Sequence, residues 1–198
     1  MTVATDWSLI VLTGGSGTRL GGADKAQLRV GDRSLLAALL DEVPAGVPIV
    51  VAGPELAVSR DVRFSPENPA GGGPVAGIAA AVDGVQTELV LVAAVDMPRA
   101  NALLPELLVR LRATDGDAVI PVSSDGRPQV LLSGWRTSRL RAALGRLGDV
   151  RDRSVRELVA CARTTPWLLS DEESSSTADI DTPADLERAR THDGDRTL

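Results

Sequence analysis

Residues 88–96, Glu-Leu-Val-Leu-Val-Ala-Ala-Val-Asp, hold seven consecutive apolar side chains and so leave no polar face. A run this short and rich in β-branched residues reads as a strand buried on both sides. Such a strand must be covered above and below, which predicts a layered α/β protein. Other segments agree with that frame. Ser8–Leu12 and "PIVVAG" at 48–53 read as further buried strands, and "VRFSP" at 62–66 as a shorter one. Helical spacing recurs over 34–43, with Ser34 as N-cap, from about Pro74, and over 102–113, 138–147 and 154–162. "DAVIPVSS" and "PQVLLSGW" form two strand candidates around a turn at Asp125-Gly126, and a short strand is expected at 167–169. The last helix starts near Pro183, with Thr182 as N-cap and Asp185 closing a near capping box. The order β-loop-α-β-α-β predicts a mostly parallel three-layer α/β sheet, partly mixed around Asp125.

With 198 residues the chain suits one domain, taken as 1–190, followed by a tail "THDGDRTL" at 191–198; "SDEESSS" at 170–176 is the one low-complexity stretch. Aromatic residues make up only 2%, so the core must come from Val, Leu, Ile and Ala. A net charge of −6 provides no broad basic surface for a nucleic acid, so an anionic ligand has to be held by a local site. The single cysteine, Cys161, excludes an internal disulfide and a cysteine-rich zinc site. No run approaches about 18 apolar residues, and no charged-then-apolar leader opens the sequence, so no membrane contact is expected and the location reads as cytoplasmic.

Directly behind the first strand lies "LTGGSGTRLGGADKAQL", residues 12–28, with five glycines, Arg19 and Lys25. It is not a Walker A loop, because Lys25 follows Asp24 and precedes Ala26. It is not a dinucleotide fingerprint either, because the sixth residue from Gly15 is Leu20. Flexible backbone at Gly14, Gly15 and Gly17 lets amide groups face one concavity, Arg19 offers a planar fork, and Lys25 offers a point charge. That combination at a strand's carboxyl end suits phosphate binding; a surface turn with solvated charges is the competing reading.

Together with three later segments, the loop resembles the molybdenum cofactor guanylyltransferases, the MobA family, whose signature is L-A-G-G-x-S-x-R-M-G-x-D-K. Thr13 replaces the usual alanine and Leu20 the usual methionine. "GGGPVAGIAAAV" at 71–82, "VDMP" at 95–98 and "DIDTPADL" at 179–186 are similar to the family's G-P-L-A-G-I, C-D-x-P and N-x-N-T-P-x-D-L segments, in the same order.

The resemblance implies a Rossmann-like nucleotidyltransferase fold and transfer of GMP from GTP onto molybdopterin, with release of pyrophosphate. It implies Arg19, Lys25 and Asp96 as catalytic residues. Leu12, Thr13, Gly14, Gly15, Gly17, Lys25, Glu67 and Asp96 would contact the nucleotide, and Arg127, Gln129 and Asp181 the acceptor. Mg²⁺ would sit on Asp96 and Asp181. Partners would be GTP, molybdopterin and, transiently, other molybdenum cofactor biosynthesis proteins and acceptor molybdoenzymes. Asp96 can equally be read as a cap ahead of the following helix. Asp179 and Asp181 depart from the family's asparagines; Asp179 is read as part of the acidic first turn of the last helix. A cytidylyltransferase, another small-molecule NTP transferase and a non-catalytic nucleotide-binding regulator are the alternatives. The one histidine, His192, falls in the expected tail, which disfavours serine- or cysteine-histidine catalysis.

Overall fold

The computed structural model describes residues 5–14, 24–68 and 71–194. In chain order its strands are β1 (Trp7–Leu12), β2 (Arg29–Val30), β3 (Arg33–Ser34), β4 (Ile49–Ala52), β5 (Arg63–Ser65), β6 (Leu89–Ala94), β7 (Ala118–Val122), β8 (Leu132–Arg136) and β9 (Thr164–Leu168). The helices are α1 (Leu35–Glu42), α2 (Pro74–Val82), α3 (Leu104–Ala113), α4 (Thr137–Leu147), α5 (Val155–Ala160), α6 (Asp171–Ser176) and α7 (Pro183–Gly194). Seven strands form one sheet in the order β5-β4-β1-β6-β8-β7-β9, and β2 and β3 make a separate hairpin. Only β8 runs against the others, pairing antiparallel with both β6 and β7. The remaining pairings in this sheet are parallel.

β1 and β6 lie side by side at the centre, in register from Trp7 opposite Leu89 to Leu12 opposite Ala94. Every residue of both strands is buried, so both faces of the sheet are covered; the one polar side chain, Ser8 of β1, shares a hydrogen bond of 2.8 Å with the Thr87 hydroxyl. α2 packs on β1 and β4 and against α4 and α5, while α3 covers β7 and β8. Gly134 in β8 leaves room for Leu107 and Leu111 of α3, whose methyl groups sit 3.4 and 3.3 Å from where its Cβ would be.

Local sequence explains most element ends. The Ser34 hydroxyl accepts from Ala37 N at 3.2 Å and starts α1, as its sequence predicts. Asp185 and Thr182 exchange the predicted bonds at the start of α7, Thr182 N donating to Asp185 Oδ2 at 2.7 Å and Asp185 N to Thr182 Oγ1 at 3.3 Å. Four differences from the sequence reading stand out. The β2–β3 hairpin, turning through Gly31 at φ 58°, was not expected. β9 begins at Thr164, three residues early, and tolerates Pro166 because it is an edge strand. α6 occupies the stretch read as low complexity. α7 continues to Gly194, four residues into the expected tail, and carries the backbone of His192.

The ends of β1 and β4 meet closely. Thr13 is buried, its hydroxyl donates to the Ala52 carbonyl at 2.8 Å, and a Cβ on Gly53 would come 2.0 Å from that hydroxyl oxygen. Gly53→Ala is expected to destabilise the protein by about 1–3 kcal/mol through overpacking. Adding Thr13→Ala should recover part of the loss. Strictly additive effects of the two changes in chemical denaturation would remove this explanation.

Candidate active site

Parallel strands bring their carboxyl ends to one edge of the sheet, and the polar residues gather there. After β1, Asp24 caps a single 3-10 turn, Lys25–Gln27: its Oδ1 accepts from Ala26 N and its Oδ2 from Gln27 Nε2, both at 3.0 Å. The methyl of Ala26 is buried in the core, and this anchored turn carries Lys25 inward. After β6, Val95 N still donates to the Leu12 carbonyl at 3.0 Å, so Asp96 is the first residue to leave the sheet. Ahead of α7, Ile180 is buried and its amide donates to the Asp96 carbonyl at 2.8 Å, which fixes Asp181 beside Asp96.

These three pieces, separated by 71 and 156 positions from Lys25, meet at one nitrogen. Lys25 Nζ donates to Asp96 Oδ2 at 2.7 Å and to Asp181 Oδ1 at 2.5 Å. The lysine side chain is only 10% exposed and that of Asp96 15%. Burial pulls the Lys25 pKa down, but the hydrogen bonds to Asp181 and Asp96 outweigh it and hold the ammonium above its ordinary value. The stabilisation this contributes is fully present below the unfolded lysine pKa and is lost as pH rises through the folded one. The triad is therefore closed across the neutral range. Asp96 Oδ1 is buried and has no hydrogen-bond partner among the described residues.

A cavity of about 730 Å³ opens beside Asp96, its walls including Ser123, Arg127, Gln129, Arg156 and Asp179. Its size suits a small organic molecule. Arg127 is exposed and paired with Asp125, Nε to Oδ2 at 3.2 Å; Gln129 Nε2 donates to Ser123 Oγ at 3.2 Å. Asp179 does not belong to the first turn of α7, which starts four residues later and has Asp185 as its acid. It lines instead both this cavity and a neighbouring one of about 530 Å³ that contains Arg99 and Arg188. Partial burial, then the Asp181 carboxylate and more weakly Asp96, push the Asp179 carboxyl pKa up.

On the other side of β1, Glu67 lies across Gly14. A Cβ on Gly14 would fall 2.4 Å from Glu67 Oε1, and one on Gly77 in α2 3.6 Å from the same oxygen. α2 is preceded by Gly73, φ 86°, as its N-cap residue and opens on Pro74, with no side-chain cap. Leu12 is buried, and the Thr13 hydroxyl is engaged with Ala52, so Gly14 is the first residue after β1 with an accessible backbone. Gly15, Gly17 and Arg19 lie outside the described residues. The structure thus unites Lys25, Asp96 and Asp181, puts Arg127 and Gln129 on the adjoining cavity, and sets Glu67 against Gly14. Sequence reasoning missed Asp24 as the cap that aims Lys25, although an acid two residues before Ala26 is a readable turn signal.

The sequence profile of the MobA-like NTP transferase domain matches residues 9–166. The chain belongs to the MobA-like NTP transferase family. A Chloroflexus aggregans protein named "Probable molybdenum cofactor guanylyltransferase" is 30% identical over 213 aligned positions, 98% of each chain. Among solved structures, molybdopterin-guanine dinucleotide biosynthesis protein A from Archaeoglobus fulgidus superposes with a TM-score of 0.72 at 25% identity, covering 95% of this chain and 99% of that one. The 2-C-methyl-D-erythritol 4-phosphate cytidylyltransferase of Thermus thermophilus shares the fold, with a TM-score of 0.68 at 21% identity, over 93% of this chain and 97% of that one. This MobA-like chain is thus a nucleotidyltransferase, and among its described residues no helix is long and apolar enough to cross a membrane.

The donor set of this MobA-like transferase fits a hard divalent ion. Asp96 offers a buried oxygen that has no hydrogen-bond partner among the described residues, and Asp181 stands beside it. No cluster of three or more ligating side chains occurs among the described residues, so protein groups would fill only part of the shell. That is the usual arrangement for Mg²⁺, which takes one or two carboxylates and completes its shell with substrate phosphates and water.

Asp179→Asn removes one of the like charges at this site. Because a raised carboxyl pKa makes the folded chain hold its proton longer, stability attributable to Asp179 falls as pH rises from the unfolded value through the folded one. The variant should therefore melt higher than wild type at pH 7, with the difference shrinking toward pH 3. A variant that melts lower at pH 7 would contradict this reading.

Proposed function

We propose that this MobA-like transferase moves GMP from GTP onto molybdopterin, forming molybdopterin guanine dinucleotide and pyrophosphate in molybdenum cofactor biosynthesis. The observation that carries the reading is the meeting of Lys25, Asp96 and Asp181 between a glycine-rich strand end and a cavity able to hold a second substrate. The choice of guanine and of molybdopterin draws on the Chloroflexus aggregans relative, whose name states that activity and whose alignment spans both chains.

In this reading the terminal phosphate oxygen of molybdopterin attacks the α-phosphorus of GTP, a new P–O bond forms, and the bond to the β-phosphate oxygen breaks. No protein nucleophile is needed: an anionic acceptor asks chiefly for alignment and charge neutralisation. The amides of Gly14, Gly15 and Gly17, with Arg19 and Lys25, hold the triphosphate, and Leu12, Thr13 and Glu67 border the nucleoside. Arg127, Gln129 and Asp181 face the acceptor. Asp96 and Asp181 would hold Mg²⁺, which would offset charge on the phosphates. Two carboxylates, Asp96 and Asp181, bond the one ammonium of Lys25, and a third, Asp179, lies close enough to feel their charge. A triphosphate brought to such a site needs further cations, which is why Arg19 and a metal belong to the proposal. The acids at 179 and 181 also weigh less toward a non-catalytic regulator once Asp181 is seen to have Lys25 as countercharge.

The test is pyrophosphate release with Mg²⁺ and molybdopterin, comparing GTP, CTP and ATP. Release should be selective for GTP, and Asp96→Asn should lower kcat by about 10²-fold or more, the usual loss for a group that stabilises developing charge. Selectivity for CTP would turn the assignment to cytidylyl transfer. GTP binding without release from any nucleotide would favour the regulator.

A further inference from the structure

We propose that the Lys25 ammonium is a displaceable occupant of the divalent-cation position, so that the metal enters only with a triphosphate that draws Lys25 away. The inference rests on the metal assignment made above and concerns the order in which the site fills.

The geometry points to one position with two claimants. Lys25 Nζ bonds one oxygen of Asp96 at 2.7 Å and one of Asp181 at 2.5 Å, the same two carboxylates that are offered to a metal. The lysine side chain is nine-tenths buried and its backbone is held by the Asp24-capped turn, so it sits in a built position rather than sweeping through solvent. A Mg²⁺ ion binds oxygens at about 2.0–2.1 Å. An ammonium bonds them at roughly 2.7–2.9 Å. An ion shared by these carboxylates would therefore lie against the ammonium, and two cations in direct contact in a shielded site repel strongly. Asp96 shows the incompleteness of the lysine's role: Oδ2 is satisfied by Lys25, while Oδ1 stays buried without a partner among the described residues.

Phosphate oxygens supply what the exchange needs. They are acceptors that compete with carboxylates for a lysine ammonium, and they ligate Mg²⁺ as well. When a triphosphate takes Lys25, both carboxylates are released at the moment metal and phosphates arrive together. The device makes the site respond to a metal–nucleotide complex rather than to the free ion, and in between the ammonium offsets part of the charge of the acid pair.

Mn²⁺ serves as the probe, its free concentration read by electron paramagnetic resonance in titrations of the full chain without acceptor. The nucleotide-free wild type should bind Mn²⁺ at least ten-fold more weakly than Lys25→Met or Lys25→Gln, and Asp96→Asn added to either variant should abolish the gain. With a non-hydrolysable GTP analogue the wild type should bind Mn²⁺ at least ten-fold more tightly than without it, after correction for binding by the analogue alone. Tight, Asp96-dependent Mn²⁺ binding by the nucleotide-free wild type overturns the proposal, and this arm needs no lysine variant to fold. Equal affinities of wild type and both lysine variants overturn it too. Mn²⁺ binding indifferent to Asp96→Asn in every state overturns it together with the metal assignment. Guanylyl transfer is judged separately, because acceptor and turnover play no part in these titrations.

Discussion

Two neighbouring strands buried along their whole length, β1 and β6, govern the rest of the molecule. Their backbone groups are satisfied by neighbouring strands, β1 by parallel β4 and β6, and β6 by parallel β1 and antiparallel β8, and their side chains are covered by helices, so a polar side chain along them needs its own partner, as Ser8 has in Thr87. Chemistry is left to the ends. At the carboxyl edge the chain must leave the sheet, and it does so at Thr13 and Asp96, neighbours because Val95 still bonds Leu12. The distance between the glycine loop and the acid is thus set by strand register, not by loop conformation. A one-residue slip of β6 against β1 would exchange the side chains of its two buried faces, each packed against different neighbours, so the same burial that stabilises the sheet also fixes the site.

The Lys25 triad is the second consequence. Bringing an ammonium into a nearly closed position costs desolvation energy, which only close carboxylates offset. Here two of them come from segments that share no strand: Asp96 through β6, and Asp181 through the bond from Ile180 to the Asp96 carbonyl. That backbone bond ties the approach to α7 to the end of the central strand. Residues far beyond the sheet thereby complete a site that the sheet begins.

Much of this was legible in the chain. The apolar runs located all seven main-sheet strands to within four residues of their ends, and Ser34 and Thr182 were readable caps. The direction of β8 was less legible, since an apolar strand next to a turn fits either orientation; the mixed character expected near Asp125 came from that turn alone. α6 has no buried residue, so hydrophobic periodicity is silent there, yet Ser170 and Glu173 form a capping box that was present in the letters. The hairpin of β2 and β3 is two residues per strand, below the length at which alternation carries a signal. At the site, Lys25, Asp96 and Asp181 were legible as members but not as partners. Their contact depends on three loops meeting in space, and no local pattern encodes that.

The acids at 179 and 181 take on a physical meaning from this arrangement. An asparagine at 181 would accept from Lys25 without neutralising it, whereas the carboxylate lets the ammonium stay buried with charge compensation on both sides. The same substitution makes the neighbourhood more repulsive to phosphates, an effect that Asp179 extends to the wall shared by two cavities. A chain that carries a net charge of −6 and acts on nucleoside triphosphates cannot rely on its overall field to collect them. Attraction has to come from local cations, and of these Lys25 is held in place by the acids at 96 and 181.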